Sequence, residues 1–168
     1  MSKTHTLVAL VENKAGVLNR IASLFRRRRF NIESLTVGHS EKEGLSRMTI
    51  VVNASTNVDQ VFRQMYKVVE VIKIKKLDEE NATIRDLALV KIKITAKNKA
   101  AVLKNLKLFG AKIAKQNSHY LIAEICGEPR KIESFLAIVS DFGILEISRT
   151  GATAVSGGAE IELKLPSF

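Results

Sequence analysis

One order of strands and helices is written twice along this chain, and that half-chain repeat limits the possible folds more than length does. In the first copy, THTLVALV (Thr4–Val11) is a β-rich apolar run of strand length. Val17, Leu18, Ile21, Ala22, Leu24 and Phe25 then recur at helical spacing, predicting a helix over about 16–28. IESLTVG reads as a strand, HSEKEGLS as a turn, and RMTIVVN as a strand with Met48, Ile50 and Val52 on one face. Thr56 or Asn57 is placed to cap a second helix that buries Val58, Val61, Phe62, Met65 and Val69. VIKIKKL closes the unit with its lysines toward solvent, so the order is βαββαβ.

After the polar stretch DEENATIRD (Asp78–Asp86) the pattern restarts. LALVKIKI reads as a strand, and Ala101, Val102, Leu106 and Phe109 line one side of a helix ended by Gly110. AKIAKQ and YLIAEIC form a hairpin turning at Asn117-Ser118. Pro129 suits the first turn of a helix carrying Ile132, Phe135, Leu136 and Val139, and GILEISRTG supplies a last strand. The expected fold class is α+β: two ferredoxin-like βαββαβ sandwich domains in tandem, 1–77 and 87–168, joined by a linker at 78–86. Ala152–Phe168, with Gly157-Gly158, has no clear packing pattern and either docks as an extra strand or stays loose.

The net charge of +10 invites a polyanion partner. The excess is uneven: residues 1–77 hold 14 Lys+Arg against 6 Asp+Glu, and the rest 13 against 11. No apolar run approaches the roughly 18 residues that span a bilayer. The first residues lack the layout of a signal peptide, and a single cysteine, Cys126, fits a reducing interior. A cytoplasmic protein without a membrane partner is expected.

Catalytic patterns are missing. His5, His39 and His119 are scattered, paired-cysteine spacing is absent, and there is neither G-x-x-x-x-G-K-[ST] nor G-x-G-x-x-G after a strand. A Cys126–His119 nucleophile is conceivable across the hairpin, but a small buried cysteine near a turn histidine is the simpler reading. Asp78, Glu79 and Glu80 are consecutive acids in a polar stretch, a pattern usually just solvated. No metal and no enzyme centre are expected.

Arg26–Arg29 raise the question of nucleic acid, because RNA-recognition domains share the βαββαβ plan. Those domains stack bases on aromatics of their central strands. Here the corresponding strand is SRMTIVV, without an aromatic, and the chain has no Trp and two Tyr. The arginines fall in the last helical turn, where cations complement the negative end of the helix dipole. No nucleic-acid partner is expected.

Glu12-Asn13-Lys14-Ala15-Gly16 links the first strand to the first helix. Gly16 lets the backbone approach a small ligand. The amides of Gly16, Val17 and Leu18 lie where free N–H groups and the dipole favour a carboxylate. Asn13, and Asn31 beyond the helix, offer side-chain amides that accept from an ammonium or donate to a carboxylate. A Gly and an Asn before a helix are equally the signature of a plain turn and cap, and the residues alone leave both readings open.

VENKAGVLNRIASLFRRRRFNIESLTVG followed by LSRMTIVV closely resembles the N-terminal ACT domain of the regulatory (small) subunits of acetohydroxyacid synthase, also called acetolactate synthase. ALVKIKI and EISRTGATAVSGG resemble that family's C-terminal domain, so the resemblance covers essentially the whole chain. It implies a subunit without activity of its own that binds and activates the catalytic large subunit. Thiamine diphosphate, Mg2+ and FAD would then belong to that partner and no cofactor to this chain. The resemblance further implies feedback inhibition by a branched-chain amino acid, typically valine, held between the ACT domains of a homodimer. Carried over, the effector-binding residues are Asn13, Gly16, Val17 and Leu18 of one subunit with Asn31 and Ile32 of the other. The physics agrees in one respect: the second strand of a ferredoxin-like sheet is an edge, best managed by pairing with its copy.

Two positions depart from the family pattern. Ala15 stands where Pro or Ser is frequent, a small matter for a backbone site. Arg29 stands where Gly is usual, and an Arg in the left-handed conformation costs of order 1 kcal/mol. The alternative functions are a freestanding amino-acid sensor acting on another partner and, behind it, a βαββαβ nucleic-acid-binding module.

Overall fold

A computed structural model describes residues 4–53 and 57–157. The first repeat comprises β1 (Thr4–Glu12), α1 (Val17–Arg27), β2 (Ile32–His39), β3 (Leu45–Asn53), α2 (Val58–Met65) and β4 (Val71–Lys76). Its sheet is antiparallel, in the order β2-β3-β1-β4, which leaves β2 and β4 as the edges. Leu7, Ala9 and Val11 of β1 and Met48, Ile50 and Val52 of β3 meet Val17, Ile21, Leu24 and Phe25 of α1 and Val58, Val61 and Met65 of α2. Thr6, Val8 and Leu10, on the opposite face of β1, are buried as well. That explains why β1 reads as a continuous apolar run, the signature of a strand covered on both sides. The face on which RNA-recognition domains stack bases is thus closed and carries no aromatic side chain on β1 or β3.

The second repeat comprises β5 (Ala82–Lys93), α3 (Lys99–Phe109), β6 (Lys112–Gln116), β7 (Tyr120–Gly127), α4 (Pro129–Ser140), β8 (Ile144–Arg149) and β9 (Thr153–Ser156). Its strands order as β6-β7-β5-β8, with β9 pairing β5 off that path. Val90 and Ile92 pack with Leu121, Ile125, Val102, Leu106, Ile132 and Phe135 in a core of its own. The α+β class and the tandem ferredoxin-like plan are as expected from the repeat.

Local signals act where they stand in the sequence. The Asn57 side chain accepts from the Gln60 N–H at 3.1 Å and caps α2, while Thr56 lies outside the described residues. Pro129 begins α4, and the Asn117 side chain accepts the N–H groups of His119 and Tyr120 to close the hairpin.

Four expectations need correction. Residues 78–86 are not a bare linker: a short 3-10 turn covers Glu79–Asn81 and β5 begins at Ala82. The polar side chains there alternate with Ala82, Ile84 and the buried Asp86, so charge disguised a strand. The compact units are also divided differently, with the second covering Ile84–Gly151 and the stretch from Ala152 grouping with the first. Ala152 and Ala154 are buried there, and the Ala152 N–H donates to Ser34 Oγ at 2.9 Å. Val69 is 87% exposed because α2 ends at Met65, where tight turns bring Val68 to the core instead. Ala101 points outward, and Leu103 takes the expected place beside Val102.

The C-terminus of α1 answers the question about Arg29. Phe30 N–H donates to Phe25 O at 3.0 Å and Arg29 N–H to Arg26 O at 3.1 Å, the paired bonds of a Schellman motif. Its hydrophobic contact is present too, as the Phe25 and Phe30 rings meet edge-on at 6.2 Å. Arg29 occupies the left-handed position with φ 57°. Helix α3 ends by the same bonds, Ala111 to Leu106 and Gly110 to Lys107, but there the left-handed residue is Gly110. Arg29→Gly is therefore expected to stabilise the protein by roughly 0.5–1 kcal/mol, the relieved strain less glycine's extra unfolded-state entropy. Arg28→Gly, at φ −96°, should destabilise it instead. Denaturant unfolding of both variants checks the pair.

Candidate functional site

The loop before α1 is held from two sides. Glu12 N–H donates to Glu70 O at 2.9 Å, and Asn13 N–H donates to Gly44 O in the β2–β3 turn at 2.8 Å. Arg20 of α1 is ion-paired with Glu70, which ties the helix to the entrance of β4. Lys14 pairs with Glu12 at 2.8 Å, and that hydrogen bond, with the same carboxylate's charge, raises the lysine above its usual range. The loop's cation is thus matched locally.

Gly16 enters the helix at φ 88°, a conformation suited to glycine, and no side chain caps α1. The first amides of a helix have no intrahelical acceptor. Val17 N–H reaches Lys14 O at only 3.4 Å, and the first turn of α1 carries no acidic residue. An anion-seeking set of N–H groups is left at this end. Val17's side chain is buried in the core, so this residue offers a ligand its backbone alone. Leu18, 47% exposed, offers a side chain as well.

Asn31 and Ile32 stand past the other end of α1. Eleven helical residues span about 16 Å. One chain therefore does not bring the two groups together. Asn31 is exposed, and its Nδ2 donates to Glu33 Oε1 at 3.1 Å, which leaves Oδ1 to accept. Ile32 packs partly against the core of its own unit, so little of it is spare for a ligand. Around Asn31 lies a cleft of about 420 Å3 lined by Arg28, Arg29, Phe30, Glu33, Asn53 and Asn57. Guanidinium, carboxylate and amide groups in one polar cleft suit a zwitterion, and of these residues only Asn31 was singled out as a ligand contact from sequence.

Strand β2 connects the two groups. It starts at Ile32, beside Asn31, and ends at His39, whose Nδ1 lies 3.4 Å from Asn13 Nδ2. His39 and Glu33 were missed from sequence as partners of the two asparagines. A polar residue two positions after Asn31 was the available signal for Glu33, and nothing local announces His39.

Other candidates disperse. Cys126 is exposed rather than buried, because it faces outward near the end of β7 opposite Leu87. His119 sits just before the start of that strand, roughly 20 Å away at strand rise, so the two make no nucleophilic pair. Among the described residues no cluster of three His, Cys, Asp or Glu side chains is arranged to hold a metal, and no helix is long and apolar enough to cross a membrane.

Comparison with known proteins gives a consistent pattern. Residues 7–73 match the family described as the AHAS small subunit-like ACT domain, and residues 85–158 match the small subunit of acetolactate synthase. The acetolactate synthase small subunit of Mycolicibacterium smegmatis is 42% identical over 156 residues, 92% of each chain. The probable acetolactate synthase small subunit of Methanothermobacter thermautotrophicus is 39% identical over 158 residues, 93% of this chain and 94% of its own. The crystal structure of the acetolactate synthase small subunit from Thermotoga maritima superposes with a TM-score of 0.85 at 38% identity, covering 92% of this chain and 97% of that one.

Proposed function

This chain belongs to the acetolactate synthase small-subunit family, and from that premise we propose that it activates a catalytic large subunit and confers feedback inhibition by a branched-chain amino acid, valine first. In this reading the chain carries no cofactor, and thiamine diphosphate, Mg2+ and FAD belong to the catalytic partner. It acts in branched-chain amino-acid biosynthesis in the cytoplasm.

The observation that carries the proposal is the separation of the candidate residues across α1 and their reconnection along β2. Antiparallel pairing of β2 with its copy would set Asn31 of one subunit beside Asn13–Leu18 of the other. Edge chemistry favours that strand. The opposite edge, β4, carries Lys73, Lys75 and Lys76, a common device against pairing, whereas β2 has no lysine. Each shared site would receive the effector carboxylate at the N–H groups of Gly16, Val17 and Leu18. Its ammonium would meet the side-chain oxygens of Asn13 and of the partner's Asn31. The exposed Leu18 side chain and the uncovered part of Ile32 are the nearest apolar surfaces for an isopropyl group.

Inhibition requires that the effector prefer the subunit state that holds the catalytic partner less active. Selecting among branched side chains one methylene apart is worth only about 1–3 kcal/mol, so preference among valine, leucine and isoleucine should be graded. Calorimetry of the purified chain is expected to show heat with at least one of them. The melting temperature should rise with ligand, since binding needs the folded dimer. No heat and no shift with any of the three would sink the effector reading. Co-purification with a thiamine-diphosphate enzyme and stimulation of its turnover tests the other half, and its failure would point to a freestanding sensor.

A further inference from the structure

The geometry points to His39 as a positioning residue for the effector, one that makes affinity depend on its protonation; this rests on the effector reading just given. Asn13 Nδ2 lies 3.4 Å from His39 Nδ1, a loose contact with room to tighten when a ligand pulls on the amide. An amide has one donating and one accepting end, and His39 decides which end faces the site. With Nδ1 unprotonated, the ring accepts from Nδ2, and Asn13 Oδ1 is turned to accept from an ammonium. A protonated ring has donors only. The amide must then rotate to give Oδ1 to the ring, and its NH2 group meets the effector ammonium, donor against donor.

The backbone that carries His39 is well fixed. As the last residue of β2 it lies opposite Ser46 of β3. The turn that follows is braced by Ser40 N–H to Leu45 O and by Lys42 N–H to Ser40 Oγ, both at 3.0 Å. The same turn accepts Asn13's backbone N–H at Gly44 O, so the two residues' backbones keep a common frame. The surrounding charges are largely matched. On the turn, Glu41 is gripped by Arg47 of β3 through both oxygens, and that grip lowers the Glu41 carboxyl below its usual range. On the loop, Lys14 pairs with Glu12, and Lys42 and Glu43 complete the turn.

The test is calorimetry with valine, leucine and isoleucine from pH 5.5 to 8 on the parent, His39→Ala and His39→Asn, whose side-chain oxygen stands where Nδ1 stood. The parent is expected to bind about tenfold more weakly at pH 5.5 than at pH 8, the effect of one charge-assisted hydrogen bond lost. His39→Ala should be weak and flat with pH, and His39→Asn should keep the parent's high-pH affinity at every pH. In the ligand-free chain, the Asn13 side-chain amide resonances should move with pH in the parent and stand still in His39→Ala. Parallel pH profiles in parent and His39→Ala, or static Asn13 resonances in the parent, would overturn the role of His39 while leaving the effector site standing. No binding of any of the three amino acids at any pH would overturn both.

Discussion

Arg149→Ala is expected to lower the stability of the second unit by about 3 kcal/mol, whereas Glu133→Gln should cost less than about 1 kcal/mol. Arg149 Nε and Nη2 both donate to Asp86 Oδ2, at 3.0 and 2.5 Å, and Thr150 Oγ1 donates to Oδ1 at 3.2 Å. The Asp86 side chain is 3% exposed, so without the guanidinium a buried carboxylate loses both of its charge-assisted hydrogen bonds to Arg149. Glu133 meets the same arginine at 2.5 Å, but its side chain is 55% exposed and water replaces what it loses. Partial burial pulls the Arg149 guanidinium down; its bonds to Glu133 and Asp86 outweigh that and hold it above the ordinary range. Removing both partners together, as Asp86→Leu with Arg149→Met, should recover much of the loss, since no carboxylate is then left buried without its guanidinium. Denaturant unfolding decides it. Equal costs for Arg149→Ala and Glu133→Gln would show that Asp86 does not depend on this arginine.

That cluster also shows where reading from sequence stops. Asn57, Gly110 and Pro129 act on amides within a few residues of themselves, so their roles as cap, helix end and helix start are written locally. Asp86 is different. Its partner is 63 residues away, and without Arg149 in view DEENATIRD reads as a solvated linker rather than as the opening of a strand. Val69 fails for a related reason: the helical period continues past Met65, but the chain turns there and Val68 wins the packing. Arg29 lies between these cases. The conformation is legible because the surrounding residues form the motif that normally takes glycine, and arginine adopts it since Phe25 and Phe30 close the motif around it.

The candidate site divides along the same line. The uncapped helix start and the two asparagines are visible in VENKAG and FNIE. The side-chain partners of those amides are Glu33, two residues from Asn31, and His39, 26 residues from Asn13. Periodicity carries no information about such contacts. What a single chain withholds is more basic: α1 keeps Asn13 and Asn31 apart, so the proposed effector site takes one asparagine from each of two chains.

That requirement yields the second large effect. Asn13→Ala and Asn31→Ala are each expected to weaken effector binding at least about tenfold, as each removes an acceptor for a buried ammonium. Mixed dimers, one chain carrying each substitution and isolated through two different tags, should bind with the parent's affinity at half the parent's number of sites. The reason is the two-fold symmetry of the proposed β2 interface. Pairing through β2 creates two equivalent sites, each taking Asn13 from one chain and Asn31 from the other. In the mixed dimer one site then collects both substitutions and the other collects neither. A site built within one chain cannot show this recovery, because every chain in the mixture is damaged. Calorimetric stoichiometry separates the outcomes: half-sites at full affinity if the two chains share the ligand, and no tight sites if they do not.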